Sequence, residues 1–440
     1  MRILFFISLI SATLFSNILK LPHEEHELKN GLKVILVKYP SPGVVSYQLP
    51  VHVGSRNELE KGKSGFAHFF EHLMFRGTKK MSGKQFSDLY SKLGAENNAW
   101  TSLDETCYHG NVATKYLPKI LEAEADRFQN LKFSEKELKD EAGAIMGEYN
   151  KNVSQPEFQL EEKLFETAFK IHPYSHTTMG YREDILKYGE RYKDVWPFFD
   201  RYYVPSNVSV ILVGDIDFKK SLALIQKHFG KWKAKTLPPV AIPSEPAQTE
   251  ARSALVTLDK PTQTRVVVAY RSPAFSTKNN ENAAIQLLSE VYFSVTSEFQ
   301  KKYRYDKKWL DSVDGGYQPF LDPGLWALSL KFAEKGESHV EEVLKAVDKL
   351  IEKIREEAVE QAKLESTKKR FLNAALTTWF ESPTSLAHQI SILTNLERDL
   401  GVIDRFLENI SKTTSDEIKA TASKYLIDTN KTVVTLKGAK

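Results

Sequence analysis

His68-Phe69-Phe70-Glu71-His72 is the stretch on which the reading of this chain turns. On a helix, residues four apart lie one above the other, so His68 and His72 present two imidazoles to one point in space. Glu71 projects beside them. Zinc in a hydrolytic site takes three protein ligands and a water whose pKa it lowers to about 7, and a neighbouring carboxylate can accept that water's proton. The pentapeptide thus offers two ligands and a base, and it lacks a third ligand.

The flanking residues place the motif on a helix. Ser64 reads as its N-cap and Gly77 as its stop. Upstream, residues 32–37 and 45–53 read as strands joined by the turn Ser41-Pro42-Gly43. Downstream, Ser82 and Gln85 form a capping box that opens a second helix ending near Gly94, and a strand-like stretch follows over 99–112. Ser134 and Glu137 form another capping box, opening a long helix to about Asn150. That helix carries Glu141 and Glu148, seven residues apart and so on one face. Either could complete the metal site.

Residues 208–214 read as a strand and 218–229 as a helix, after which prolines 238, 239, 243 and 246 interrupt all periodicity. The pattern then restarts with a strand over 264–270, a helix over 282–293 and a strand over 325–332. Two halves of similar length and element order indicate an internal duplication. Gln286, Ser289 and Glu290 fall near the mirrored ligand positions, so no second metal site is expected. The expected organisation is a metal-binding domain over 20–234, a Pro-rich linker over 235–252, and a second, metal-free domain over 253–440.

At 440 residues the chain exceeds one ordinary core. Its net charge of +4 is spread without a basic run, which argues against nucleic acid as a partner. Cys107 is the only cysteine, which excludes an internal disulfide and a multi-cysteine metal site; it reads as a small buried residue with no redox role. Arg2 precedes an apolar stretch over 3–15 broken only by Ser and Thr. That is the pattern of a signal peptide over 1–18, cleaved near Ser16, on an exported chain that is periplasmic or extracellular and has no stable membrane span. The alternatives are a buried N-terminal helix or a single membrane anchor. No cysteine near this stretch could take a lipid.

The motif block Gly65-Phe66-Ala67-His68-Phe69-Phe70-Glu71-His72-Leu73-Met74-Phe75-Arg76-Gly77-Thr78 resembles that of the M16 metallopeptidases, the group of pitrilysin, insulin-degrading enzyme and mitochondrial processing peptidase. Histidines and glutamate in this reversed order are the mark of the inverzincins. Gly94-Ala95-Glu96-Asn97-Asn98-Ala99-Trp100-Thr101 is similar to the substrate-binding block that follows, and His172-Pro173-Tyr174 fits as well. Tyr202-Tyr203-Val204-Pro205-Ser206-Asn207 with Gly214-Asp215 resembles the end of the family's first domain. The likeness covers most of residues 22–230 and is weaker beyond them.

What the resemblance implies is an α+β fold of two similar halves, each a mainly antiparallel sheet covered by helices, facing one another around a chamber. It implies one zinc ion per chain held by His68, His72 and Glu148, with Glu71 activating a zinc-bound water and Glu141 orienting a ligand histidine. Asn98 and Ala99 match the edge strand where the family adds a peptide or unfolded segment as an extra strand. His172 and His176 then remain structural. The implied activity is that of a zinc-dependent endopeptidase; a noncatalytic or partner-dependent binding subunit is the alternative. Active members hold the substrate carbonyl with an arginine and, seven residues on, a tyrosine. Arg304 fits, but Asp311 stands where tyrosine is expected, and an ionised carboxylate repels a developing oxyanion. Either the register differs and Tyr303, Tyr305 or Tyr317 serves, or the chain is slow, or a partner supplies the pair in a dimer or heterodimer.

Overall fold

The computed structural model describes residues 20–235 and 240–439, so residues 1–18, read above as a signal peptide, and Pro238 and Pro239 lie outside the described residues. The first sheet contains β1 (His23–Glu27), β2 (Lys33–Lys38), β3 (Val44–Val51), β4 (Glu96–Thr101), β5 (Thr106–Ala113) and β6 (Ser209–Gly214). Their order is β1-β2-β6-β3-β5-β4, antiparallel except for the β2–β6 pair. The stretch expected as one strand over 99–112 is thus a hairpin, because Ser102 and Glu105 close a turn in its middle (Ser102 N–H to Glu105 O, 2.8 Å).

Strand alternation gives this sheet two buried faces. Val45, Tyr47, Leu49 and Val51 share a core with Phe66, Phe69, Phe70 and Leu73 of the motif helix α1 (Phe66–Leu73). Ile35, Val37, Ile211 and Val213 point the other way, into a core with Leu386, Ile390 and Leu393 from the second half. Helices α2 (Gly83–Leu93), α3 (Leu117–Asn130), α4 (Glu135–Val153) and α5 (Pro156–Ala168) follow in the first half, with further helices over Tyr192–Tyr202 and Phe218–Phe229. Both capping boxes read from the sequence form: Ser82 Oγ accepts from Gln85 N–H, and Ser134 Oγ accepts from Glu137 N–H.

The second sheet contains β7 (Arg252–Leu258), β8 (Arg265–Arg271), β9 (Leu310–Tyr317), β10 (Leu325–Phe332) and β11 (Lys431–Gly438), ordered β7-β11-β8-β10-β9. Set aside β1, and both sheets run first strand, last strand, second, fourth, third, with the first and last strands parallel in each. The duplication seen in element order is therefore a duplication of topology.

The halves interleave. Helix Pro383–Glu397 of the second half lies on β3, β6 and β5, while α5 of the first half lies on β7, β11 and β8. Leu160, Leu164 and Ala168 of α5 share a core with Val267, Val434 and Leu436. Around this seam Asp322 accepts from His172 Nε2 (3.0 Å) and pairs with Arg56. Burial works against its charge, but those two partners hold the Asp322 carboxyl down to about 2. Between the halves lies a cavity of about 460 Å³, lined by α5 and by β8, β9 and β10. Among the described residues no helix is long and apolar enough to cross a membrane.

Because each sheet depends on a helix from the other half, the halves are expected to unfold together. Leu164→Ala should cost about 2–5 kcal/mol. In urea titrations it should lower a single midpoint shared by tryptophans on both sides of the seam; separate transitions for the two halves would contradict the interleaving.

Candidate metal centre

Helix α1 is only eight residues long, shorter than the sequence signals predict. Ser64 is not its cap: its hydroxyl donates to Asp184 (2.6 Å) and accepts from Tyr181 N–H (2.9 Å), tying the helix entrance to the start of a short helix over Arg182–Ile185. Gly65 takes the capping position with φ +81°, where a side chain would strike the Met179 carbonyl and the Tyr188 hydroxyl. Glycine has no side chain to cap with. The buried Glu58 carboxylate does that work from outside, accepting from Gly65 N–H and Ala67 N–H (2.8 Å for the latter) at the positive end of the helix. Gly77 likewise does not end the helix, which stops at Leu73; its φ of +125° serves a bridge to Ser82.

Aromatic packing fixes the rotation of α1. Phe69 stacks on Tyr188 with ring centres 4.5 Å apart, and Phe70 stacks on Phe198 at 5.0 Å. With those faces buried, His68, Glu71 and His72 point toward α4. Their rings 4.8 Å apart, His68 and His72 meet Glu148 from α4: His68 Nε2 lies 3.8 Å and His72 Nε2 3.6 Å from Glu148 Oε2. One ligand atom from each residue lies within 4.8 Å of the others.

These atoms fit a zinc ion. Bonds of about 2.0–2.1 Å in tetrahedral geometry separate neighbouring donors by about 3.4 Å, close to the spacing seen. Separations of 3.6 and 3.8 Å are too long for good hydrogen bonds, so the three groups converge without satisfying one another. His72 Nδ1 donates to Glu141 Oε1 (2.9 Å), which leaves its Nε2 lone pair facing the cluster. Burial, and then the neighbouring His72, push the His68 imidazole down to about 3, so it is neutral and able to ligate. Its buried Nδ1 makes no hydrogen bond among the described residues.

Glu71 stands beside the cluster and accepts a hydrogen bond from Thr101 Oγ1 (2.6 Å). Burial raises its pKa, against the pull of Thr101 and His72. A pocket of about 670 Å³ opens here, lined by Glu71, His72, Arg76, Asn98 and Glu141 among others, all from the first half. Asn98 and Ala99 lie on β4, the outermost strand, where Ala99 N–H is satisfied locally by Asn98 Oδ1 (2.9 Å).

The remaining expected residue stands apart. Arg304 donates to Gln300 Oε1 (3.0 Å) and lies over Tyr305, and no described contact joins it to the cluster. Asp311 accepts from Gln263 Nε2 (2.5 Å). Tyr303 is buried in the second core, and Tyr317 is buried with its hydroxyl donating to Asn282; Tyr305 is about half exposed. Three residues were missed in the sequence: Glu58, Thr101, and Arg76, which pairs with Glu141. Arg76 and Thr101 lie within the family-like segments, but their partners Glu141 and Glu71 are distant in sequence, and Glu58 reaches Gly65 and Ala67 at spacings that no local pattern signals.

Residues 33–182 match the model of Insulinase (Peptidase family M16), and residues 191–371 match that of the Peptidase M16 inactive domain. The zinc protease PqqE of Helicobacter pylori is 32% identical over 94% of this chain and 93% of its own length. A crystal structure of a protease from Helicobacter pylori superposes with a TM-score of 0.87 at 29% identity, covering 95% of this chain and all of that one. Cytochrome b-c1 complex subunit 1 of Bos taurus is 29% identical over 46% of this chain and 42% of its own length. With both family models spread over most of its length, and a zinc protease similar from end to end, the chain belongs to peptidase family M16.

Proposed function

We propose that this chain is an exported zinc-dependent endopeptidase that cuts peptides or unfolded segments. One observation carries the reading: His68 Nε2, His72 Nε2 and a Glu148 oxygen converge within 4.8 Å beside Glu71. His68, His72 and Glu148 hold one zinc ion per chain, which when bound acidifies a water to a pKa of about 7 and polarises a carbonyl. Glu71 takes the proton of the attacking water and returns it to the leaving amine. Glu141 holds His72 in the ligating tautomer, and Arg76 holds Glu141. The free edge of β4, at Asn98 and Ala99, pairs with an extended substrate backbone, which is why unfolded segments are cut in preference to folded ones.

Export rests on the N-terminal residues: Arg2 and the apolar run after it suit a signal peptide, with a periplasmic or extracellular destination. Domain limits near 234 and 253 follow the proline-rich interruption between the two sheets.

A partner-dependent reading has its own support. The metal pocket is lined by the first half alone, Arg304 is engaged by Gln300, and Asp311 replaces the expected tyrosine. A second chain, either another copy or a related one, then supplies the groups that stabilise the oxyanion. A noncatalytic binding subunit is the remaining alternative.

Metal analysis should find one zinc per chain, and chelation should abolish cleavage of a mixed peptide library until zinc is restored. Glu71→Gln should retain zinc while kcat falls about 10²–10⁴-fold; a variant with full activity would remove Glu71 from the chemistry. Glu148→Gln should weaken zinc binding instead, measured by chelator competition. Vigorous cleavage by the purified chain, monomeric by light scattering, would exclude the partner. Activity that appears only on adding a related chain would establish it.

A further inference from the structure

The Glu71 carboxylate is held by the strand at the sheet's edge. Thr101, the last residue of β4, places Oγ1 2.6 Å from Glu71 Oε2. Its neighbours settle which way the proton goes. Thr106, opposite Thr101 in the hairpin, gives its own hydroxyl proton to the Val53 carbonyl at 2.9 Å. Thr106 Oγ1 is 3.4 Å from Thr101 Oγ1, a more distant and poorer acceptor for the Thr101 proton than the Glu71 carboxyl oxygen at 2.6 Å.

Thr101 is itself a fixed point. Its β-branched side chain has few rotamers on a strand, and the turn that follows it is gripped from both sides. Ser102 closes that turn against Glu105; Asp104 accepts from Tyr174 Oη (2.6 Å) and from Leu321 N–H (2.9 Å) of the second half. Asn395 of the second half reaches the Asp104 carbonyl (3.3 Å).

We propose that Thr101 is the positioning residue for Glu71, fixing one carboxylate oxygen so that the other faces the water whose proton it takes. The assignment rests on the reading of Glu71 as the base. Glu71 has three rotatable bonds, and α1 fixes only the first of them. A donor on Oε2 restricts the rest. The tether also ties the carboxylate to the strand that pairs with substrate, so peptide and base share one rigid frame. The second half enters the chemistry here, through the turn it clamps and not through a side chain in the pocket.

Thr101→Val keeps the shape and removes the donor, and Thr101→Ser keeps the donor. In the active assembly, Thr101→Val should lower kcat about 10- to 100-fold, the range for a lost hydrogen bond to a charged group. KM and zinc affinity by chelator competition should stay within about twofold, and Thr101→Ser should recover kcat to within about threefold. In Glu71→Gln the added Thr101→Val should cost nothing further. Crystal structures of the metal-free variants give a readout apart from activity: Glu71 should leave its position in the valine variant and keep it in the serine variant. Wild-type kcat in Thr101→Val with Glu71→Gln inactive would overturn the proposal and leave the base in place. Equal losses of kcat and zinc affinity would also overturn it, as a merely structural effect. A fully active Glu71→Gln would instead overturn the reading on which it rests.

Discussion

Everything chemical in this molecule depends on an eight-residue helix that could not stand alone. Isolated helices of that length do not form in water, because nucleation costs more than so few hydrogen bonds return. Helix α1 persists because Glu58 accepts its first N–H groups from outside the helix and because Phe66, Phe69, Phe70 and Leu73 are buried in the first core. The same contacts decide its rotation. With the phenylalanines sunk into the core, the histidines have one direction left, and α4 supplies Glu148 in that direction. Stability and metal geometry are therefore one problem with one solution.

The two halves solve a packing problem with the same topology and then use it differently. In the first half the helix facing the sheet turns two histidines and a glutamate outward. In the second half the corresponding helix Glu281–Tyr292 buries Ala284, Ile285, Leu288 and Ser289. Ser289 Oγ accepts from the buried Trp326 indole (2.7 Å), so this helix spends its polar group on its own core. The second half's contribution is support: its helix Pro383–Glu397 covers the far face of the first sheet, and Asn395 of that helix and the loop residue Leu321 grip the turn beyond Thr101.

Much of this was legible in the sequence because it is written locally. The capping boxes at Ser82 and Ser134 act within one helical turn, and both form. The four-residue spacing of His68 and His72 and the seven-residue spacing of Glu141 and Glu148 are properties of a helix, and the structure brings all four together. What failed was long-range. Ser64 has the right chemistry for a cap, but Asp184 and Tyr181 compete for its hydroxyl, and Gly65 intervenes. The roles of Arg76 and Thr101 carry no local signal, since Glu141 and Glu71 meet them only after folding, and Glu58 reaches Gly65 and Ala67 at spacings that no local pattern marks. The register around Arg304 was unreadable for a related reason: an arginine and a residue seven places on specify a site only if the fold turns both toward it, and here they turn to Gln300 and Gln263.

The placement of the site on the sheet bears on how the reaction is completed. Helix α1 packs on the face formed by Val45, Tyr47 and Leu49, whereas the second half packs on the opposite face, formed by Ile35, Val37, Ile211 and Val213. A side chain of the second half would have to pass through or around a six-stranded sheet to reach the metal cluster. That barrier is steric and does not depend on which residue is chosen. Changing the register from Asp311 to one of the tyrosines at 303, 305 or 317 therefore does not by itself bring a hydroxyl to the pocket. An oxyanion needs donors within hydrogen-bond reach. The pocket itself is lined by the first half alone and lies beside the edge strand β4, so a donor from outside the chain would meet no such barrier.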